Sequence, residues 1–226
     1  MKEYPVGPNT YVPSRQSDIL DQTKKPALKW VQFGVTTTPN WFANGVANFS
    51  EVLEPEFGKP NYSALQVGAF VGHASLWLVK MLLDGEGSSL DDVDTWLGSD
   101  EQAHQVLDFG IIESEYDQRV GEWLATGKVR KHKMTSDQFF AGDLPGEYDF
   151  IYIDGDHHAG QVYTDAVNAH RLLKSGGILA FDDLTWTAGT GNPSDDPAMG
   201  IWSFQHDFGS NYEVLIQNHQ LWLRKS

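Results

Sequence analysis

The sequence has no cysteine, which excludes a disulfide framework, thiolate zinc ligation and a cysteine nucleophile together. Long apolar runs are missing too. The longest candidate, around Leu76–Leu83, is interrupted by Lys80 and falls far short of the roughly 20 residues that cross a bilayer. Met1 to Asp21 is polar and proline-rich, without the apolar core of a secretory signal, so a cytoplasmic setting is expected. Positive charge is scarce: 16 Lys+Arg stand against 31 Asp+Glu, a formal net charge of −15. Such a surface repels phosphate backbones and anionic lipid, so neither general nucleic-acid binding nor a membrane partner is expected. A pocket for a single nucleoside-like ligand stays open.

What is present is enough for a packed core. Of 226 residues 40% are hydrophobic and 12% aromatic, with 8 tryptophans, which excludes global disorder. The length suits one domain with an extension. Seven of the 10 prolines fall within the first sixty residues, among scattered aromatics (Tyr4, Tyr11, Trp30, Phe33, Trp41, Phe42). Proline forbids long regular elements there, while the aromatics need a surface to cover. Residues 1–61 therefore read as an N-terminal cap of short helices over a domain spanning 62–226, with aromatic surface that leaves room for a homo-oligomer.

From Ser63 onward strands and helices alternate. Ser63–Val67 is a short buried strand, followed by a glycine turn and a helix over Ala74–Leu83. Leu90–Trp96 holds a weaker strand. Asp100–Thr126 is mostly helical, with a break expected near Gly110, and Val129–Met134 forms an edge-like strand. Tyr148–Asp154 is the strongest strand, followed by a helix over Gln161–Lys174 that Ser175-Gly176-Gly177 should stop. Ile178–Asp182 is the next buried strand, and Tyr212–Ile216 and Gln220–Arg224 form a hairpin. Alternation of this kind predicts an α/β, Rossmann-like doubly wound, mostly parallel seven-stranded sheet, ending in an antiparallel hairpin and carrying the N-terminal cap.

Open α/β sheets bind ligands beyond the carboxyl ends of their strands, so the residues at those ends are the candidates. They read Gly68-Ala-Phe-Val-Gly72, Asp94-Thr-Trp96, Thr135-Ser-Asp137, Asp154-Gly-Asp-His-His158 and Asp182-Asp183. The glycine turn is neither a dinucleotide fingerprint nor a phosphate-binding loop of the Walker type, which disfavours an oxidoreductase. Asp94 follows it at about the 20-residue distance at which an acid reaches ribose hydroxyls. Asp154, Asp182 and Asp183 end two long apolar strands, and like charges so placed must be solvated, protonated or neutralised. A hard divalent cation such as Mg²⁺ resolves the conflict, although helix capping and solvation remain an alternative. His157 and His158 follow the first carboxylate, and either imidazole could accept a proton near neutral pH.

These residues resemble a class I S-adenosylmethionine-dependent methyltransferase. Leu65-Gln-Val-Gly-Ala-Phe-Val-Gly72 is similar to the cofactor loop of catechol-type O-methyltransferases. Phe150–His158 and Leu172–Asp183 resemble the metal-dependent branch that includes macrocin-type sugar O-methyltransferases. The resemblance implies S-adenosyl-L-methionine held by Gln66, Gly68, Ala69, Phe70, Gly72, Ser75, Asp94, Trp96, Ser136, Asp137 and Asp154. Gln66 stands where the family usually has an acid. It further implies Mg²⁺ on Asp154, Asp182 and Asp183, His157 as general base, and a small hydroxylated acceptor such as a sugar, polyol or phenol. Two alternatives stand beside it: a metal-independent N- or O-methyltransferase, and a non-catalytic nucleoside-binding module. Thr187–Asp196 matches nothing in the family pattern and, with the cap, is expected to select the acceptor.

Overall fold

The computed structural model describes residues 38–99, 104–144 and 146–226. The cap residues 1–37, and Asp100 at the start of a predicted helix, lie outside them. Seven strands form: β1 (Ser63–Val67), β2 (Ser89–Asp94), β3 (Val129–Lys133), β4 (Tyr148–Ile153), β5 (Leu173–Phe181), β6 (Tyr212–Gln217) and β7 (Leu221–Lys225). They make one sheet in the order β3-β2-β1-β4-β5-β7-β6. The first five pair in parallel, and β7 lies antiparallel between β5 and β6. The strand order reverses between β1 and β4, and that is where an open sheet leaves a crevice.

Among the described residues six α-helices pack around the sheet: α1 (Val46–Leu53), α2 (His73–Trp77), α3 (Phe109–Thr126), α4 (Ser136–Phe140), α5 (Ala159–Leu172) and α6 (Pro197–Phe208). On one face Phe49 of α1 meets Trp77, Phe150, Tyr152 and Trp222 edge-on, at ring separations of 4.8–5.9 Å. On the other, α5 and α6 cover Ile151, Ile153, Leu179 and Phe181. Residues 41–61 therefore do more than lie over the domain, since Phe42, Val46, Phe49 and Leu53 belong to the same buried cluster as β1 and β4. No helix among the described residues is long and apolar enough to cross a membrane.

Several sequence expectations need correction. Gly110 does not break α3; it lies in the first turn, where the Asp108 carboxylate accepts from the backbone N–H groups of Gly110 and Ile111. The helix after the glycine turn changes to π-helical winding over Leu78–Leu82. Ser175-Gly176-Gly177 lies inside β5: Leu173 is already extended and pairs with Tyr148, so sheet pairing ends α5 before the glycines are reached. Helix α6 was not anticipated. Pro197 opens it, and Gly200 lets it cross α5 closely, since a Cβ there would sit 2.3 Å from the Ala159 carbonyl oxygen.

Candidate functional site

The glycine turn owes its shape to its neighbours. Gly68 has φ of 88°, and a Cβ there would lie 1.8 Å from the Asp154 carbonyl oxygen, so the ends of β1 and β4 meet only because this residue is glycine. Phe70 is also left-handed, at φ 48°, a conformation that costs a non-glycine residue about 1 kcal/mol or more and needs outside support. Asp94 supplies it. One carboxylate oxygen accepts from the Ala69 and Phe70 N–H groups at 2.9 and 2.8 Å, and the other from Trp96 N–H at 2.7 Å. The Trp96 indole donates back to the Phe70 carbonyl at 2.9 Å. The end of β2 is thus bonded directly to the turn.

The expected cofactor residues divide into three groups. Gly68, Ala69, Phe70, Gly72, Asp94 and Asp154 come together around the crevice. Gln66, Ser75 and Trp96 lie behind it. Gln66 is buried and donates to the Gly68 carbonyl, while Ser75 donates to Gln66 at 3.4 Å. The Trp96 ring is 2% exposed against Tyr116, with Lys131 Nζ 4.6 Å from its centroid. Ser136 and Asp137 occupy the first turn of α4, which Thr135 caps reciprocally with Gln138. Gln161 of α5 donates to both at 3.2 Å.

Beside the turn lies the acidic rim. β4 and β5 run in register, Ile153 next to Phe181, so Asp154 and Asp182 leave the sheet side by side. Burial holds the Asp154 carboxyl well above the usual range, and the charges of Asp182 and Asp183 raise it further; His157 acts in the opposite direction. Asp182 is raised by burial and then by Asp183. Ligand atoms of Asp154, His157 and Asp183 lie within 4.8 Å of one another, with His157 Nε2 3.0 Å from an Asp183 oxygen. Asp183 is left-handed at φ 57°, which turns its side chain away from the strand direction toward His157.

Asp182 behaves differently from its expected partners. One oxygen accepts from the Tyr152 hydroxyl and the other from the Gln220 amide, both at 2.8 Å. His158 stays at the surface, bonded to Asp156 at the start of α5. Three residues absent from the sequence reading border the rim: Tyr152, Gln220 and Trp186, whose ring lies 4.6 Å from that of His157. Trp186 could have been found by its place three residues after Asp183. Tyr152 looked like an ordinary core strand residue, and Gln220 carries no local signal at all.

Comparison with known proteins bears on this geometry. The profile of a family described as "Methyltransferase domain" matches residues 65–184, from β1 through the acidic rim. A Dictyostelium discoideum protein named "Probable caffeoyl-CoA O-methyltransferase 3" is 25% identical over 198 residues, covering 84% of this chain and 72% of its own. The O-methyltransferase of Bacillus cereus, solved with S-adenosylhomocysteine, superposes with a TM-score of 0.56 at 12% identity, over 85% of this chain and 83% of its own. The O-methyltransferase TomG of Streptomyces achromogenes, solved with S-adenosylmethionine, gives 0.54 at 15% identity, over 86% and 83%. At these identities the structures speak for the fold, and the family match for the lineage: the chain belongs to the methyltransferase-domain family and is a class I S-adenosylmethionine-dependent methyltransferase.

Proposed function

We propose that this enzyme methylates a hydroxyl oxygen of a small molecule, with a divalent cation, Mg²⁺ foremost, at Asp154, Asp182 and Asp183, and with His157 as the base. The observation that carries this reading is the convergence of Asp154, His157 and Asp183 within 4.8 Å, next to the turn where Gly68 touches the Asp154 backbone. The donor set fits a hard cation. Carboxylate oxygens are its preferred ligands, and carboxyls held above their usual range by burial and by one another gain from a positive charge among them. The crevice at the strand-order reversal fits a nucleoside sulfonium, with Gly68, Ala69, Phe70 and Gly72 forming its floor. Asp94 has used three of about four acceptor positions on the backbone, and the fourth is available to a ribose hydroxyl. Ser136 and Asp137 border the adenine end, while Gln66, Ser75 and Trp96 brace the turn from behind.

S-adenosylmethionine supplies an electrophilic methyl group, and a divalent cation supplies Lewis acidity that lowers a hydroxyl pKa. The chain's own part is orientation and proton removal. Asp154 and Asp183 hold the acceptor side of the rim, and Trp186 supports the imidazole of His157. The imidazole of His157, on the rim beside Asp183, takes the hydroxyl proton as the oxygen becomes nucleophilic. Fixing donor and acceptor in line supplies most of the rate. An acceptor with two neighbouring oxygens, a catechol, a diol or a sugar, suits such a rim, and the caffeoyl-CoA name of the Dictyostelium relative is in keeping with that class.

The test is S-adenosylhomocysteine formation from a panel of catechols, polyols and sugars, with Mg²⁺ or with EDTA. Turnover confined to oxygen acceptors and abolished by EDTA supports the proposal. EDTA-insensitive turnover would replace it with metal-free methyl transfer.

A further inference from the structure

Asp182 is the one carboxylate of the rim whose two oxygens are both held by buried neutral donors, and one of those donors heads a chain of hydrogen bonds. Gln220 Nε2 donates to Asp182 at 2.8 Å. Its own Oε1 accepts from the Asn48 amide at 2.7 Å and from the Trp222 indole N–H at 3.0 Å. Asn48, on α1, also exchanges a pair of bonds with Asn218 at 3.1 Å. Gln220 and Trp222 are fully buried and Asn48 nearly so, and the amide is seated under the start of α1. A Cβ on Gly45 would meet Gln220 Nε2 at 2.5 Å. With Asn48 and Trp222 both donating to Oε1, the Gln220 amide can present only N–H to Asp182. Its orientation is therefore set by two residues that do not themselves bond Asp182.

We infer that Gln220 is a positioning residue for the cation site, an amide clamp that orients Asp182 and is itself oriented by Asn48 and Trp222. This inference rests on the cation reading proposed above. A carboxylate gripped on one oxygen by Tyr152 and on the other by Gln220 cannot swing, so its remaining lone pairs keep one direction. Neutral donors do this without lending a positive charge, so the negative charge of Asp182 stays available to a cation. Outer groups of this kind typically alter metal affinity by about 10–100-fold when removed. The arrangement also connects α1, which precedes the family-matched region, to the site: a change at Asn48 reaches Asp182 through one side chain.

The experiment measures Mn²⁺ affinity of the full chain by electron paramagnetic resonance and S-adenosylmethionine affinity by calorimetry, in wild type, Gln220→Met, Gln220→Asn and Asn48→Leu. Methionine keeps the length of Gln220 and removes its donor. Asparagine keeps an amide one methylene too short to reach Asp182. Both Gln220 variants are expected to lose about 10–100-fold in Mn²⁺ affinity, with an altered bound-Mn²⁺ spectrum and S-adenosylmethionine affinity within about twofold of wild type. Asn48→Leu is expected to show a smaller loss in the same direction. It also reports should both Gln220 variants fail to fold. If wild type binds Mn²⁺ and the folded variants bind it equally well with the same spectrum, the clamp is refuted while the cation reading survives. If wild type binds no Mn²⁺, both fall.

Discussion

Acids at two places in the sheet, inside β2 and at the ends of β4 and β5, are treated by the protein in opposite ways. Asp91 in β2 is fully buried, yet its carboxyl lies below the usual range. Burial pushes it up, but hydrogen bonds from Arg130 and His132, the Arg130 charge and the Tyr148 hydroxyl outweigh burial. Arg130 reaches it with two bonds of 2.7 and 2.5 Å, His132 at 2.7 Å and Tyr148 at 3.0 Å. Asp154 at the end of β4 is half-buried, its strongest charged neighbours are Asp182 and Asp183, and it is raised. The first group is neutralised by the chain's own cations. The second has a histidine and neutral donors, the arrangement on which the proposed cation site rests. Burial alone does not set the direction of the shift for these two acids; the sign of the surrounding charge does.

The sharpest way to break this comparison is Asp154→Ala. Activity is expected to fall by about 10³-fold or more, because the proposed cation would contribute several kcal/mol, and added Mg²⁺ should not restore it. In EDTA the same variant should resist urea better than wild type, since one of three repelling charges is gone. Unchanged turnover, or a lower urea midpoint in EDTA, would show that the rim is not a frustrated cluster. Arg130→Ala probes the other group. Leaving Asp91 without its guanidinium should cost about 3 kcal/mol, toward the low end for a broken buried pair because Arg130 is 40% exposed. Urea unfolding measures the cost, and kcat of the folded enzyme should change little. His157→Gln should lower kcat by about 10²–10³-fold and leave S-adenosylmethionine binding, read by calorimetry, intact.

Much of this was legible in the sequence. The β1, β4 and β5 cores, the glycine turn and the acids at strand ends follow from apolar runs that stop at glycine or aspartate, a local signal. What was not legible depends on distant partners. Asp182 and Asp183 are adjacent in sequence and look equivalent, but the left-handed backbone of Asp183 sends it to His157 while Asp182 turns to Tyr152 and Gln220. Asn48 meets Gln220 across most of the chain, a separation no periodicity encodes. Helix α6 escaped notice because Met199 and Trp202 are exposed while Gly200 and Ile201 are buried, which blurs the apolar stripe.

A third buried acid tests whether the contrast is graded. Asp165 on α5 is 1% exposed. Burial raises its carboxyl to about 6; bonds from Ser136 and Gln161 oppose the rise, and Asp137 and Asp156 add to it. With neutral partners and no cation it stands between Asp91 and Asp154. Because its folded pKa lies above the unfolded one, the folded state holds the proton more tightly. Stability from this group is therefore greatest below about pH 4 and is lost as pH rises through about 6. Asp165→Asn, which keeps an oxygen for Gln161, should remove that slope and stabilise the fold at pH 8 by about 2 kcal/mol, somewhat less than the full shift implies. Urea midpoints of wild type and variant at pH 4.5 and pH 8 decide it. Parallel pH profiles would mean that Asp165 ionises freely, and that neutral donors suffice to hold a buried carboxylate without a cation. The same finding would then weaken the case for a cation at Asp182, which is held by neutral donors in the same way.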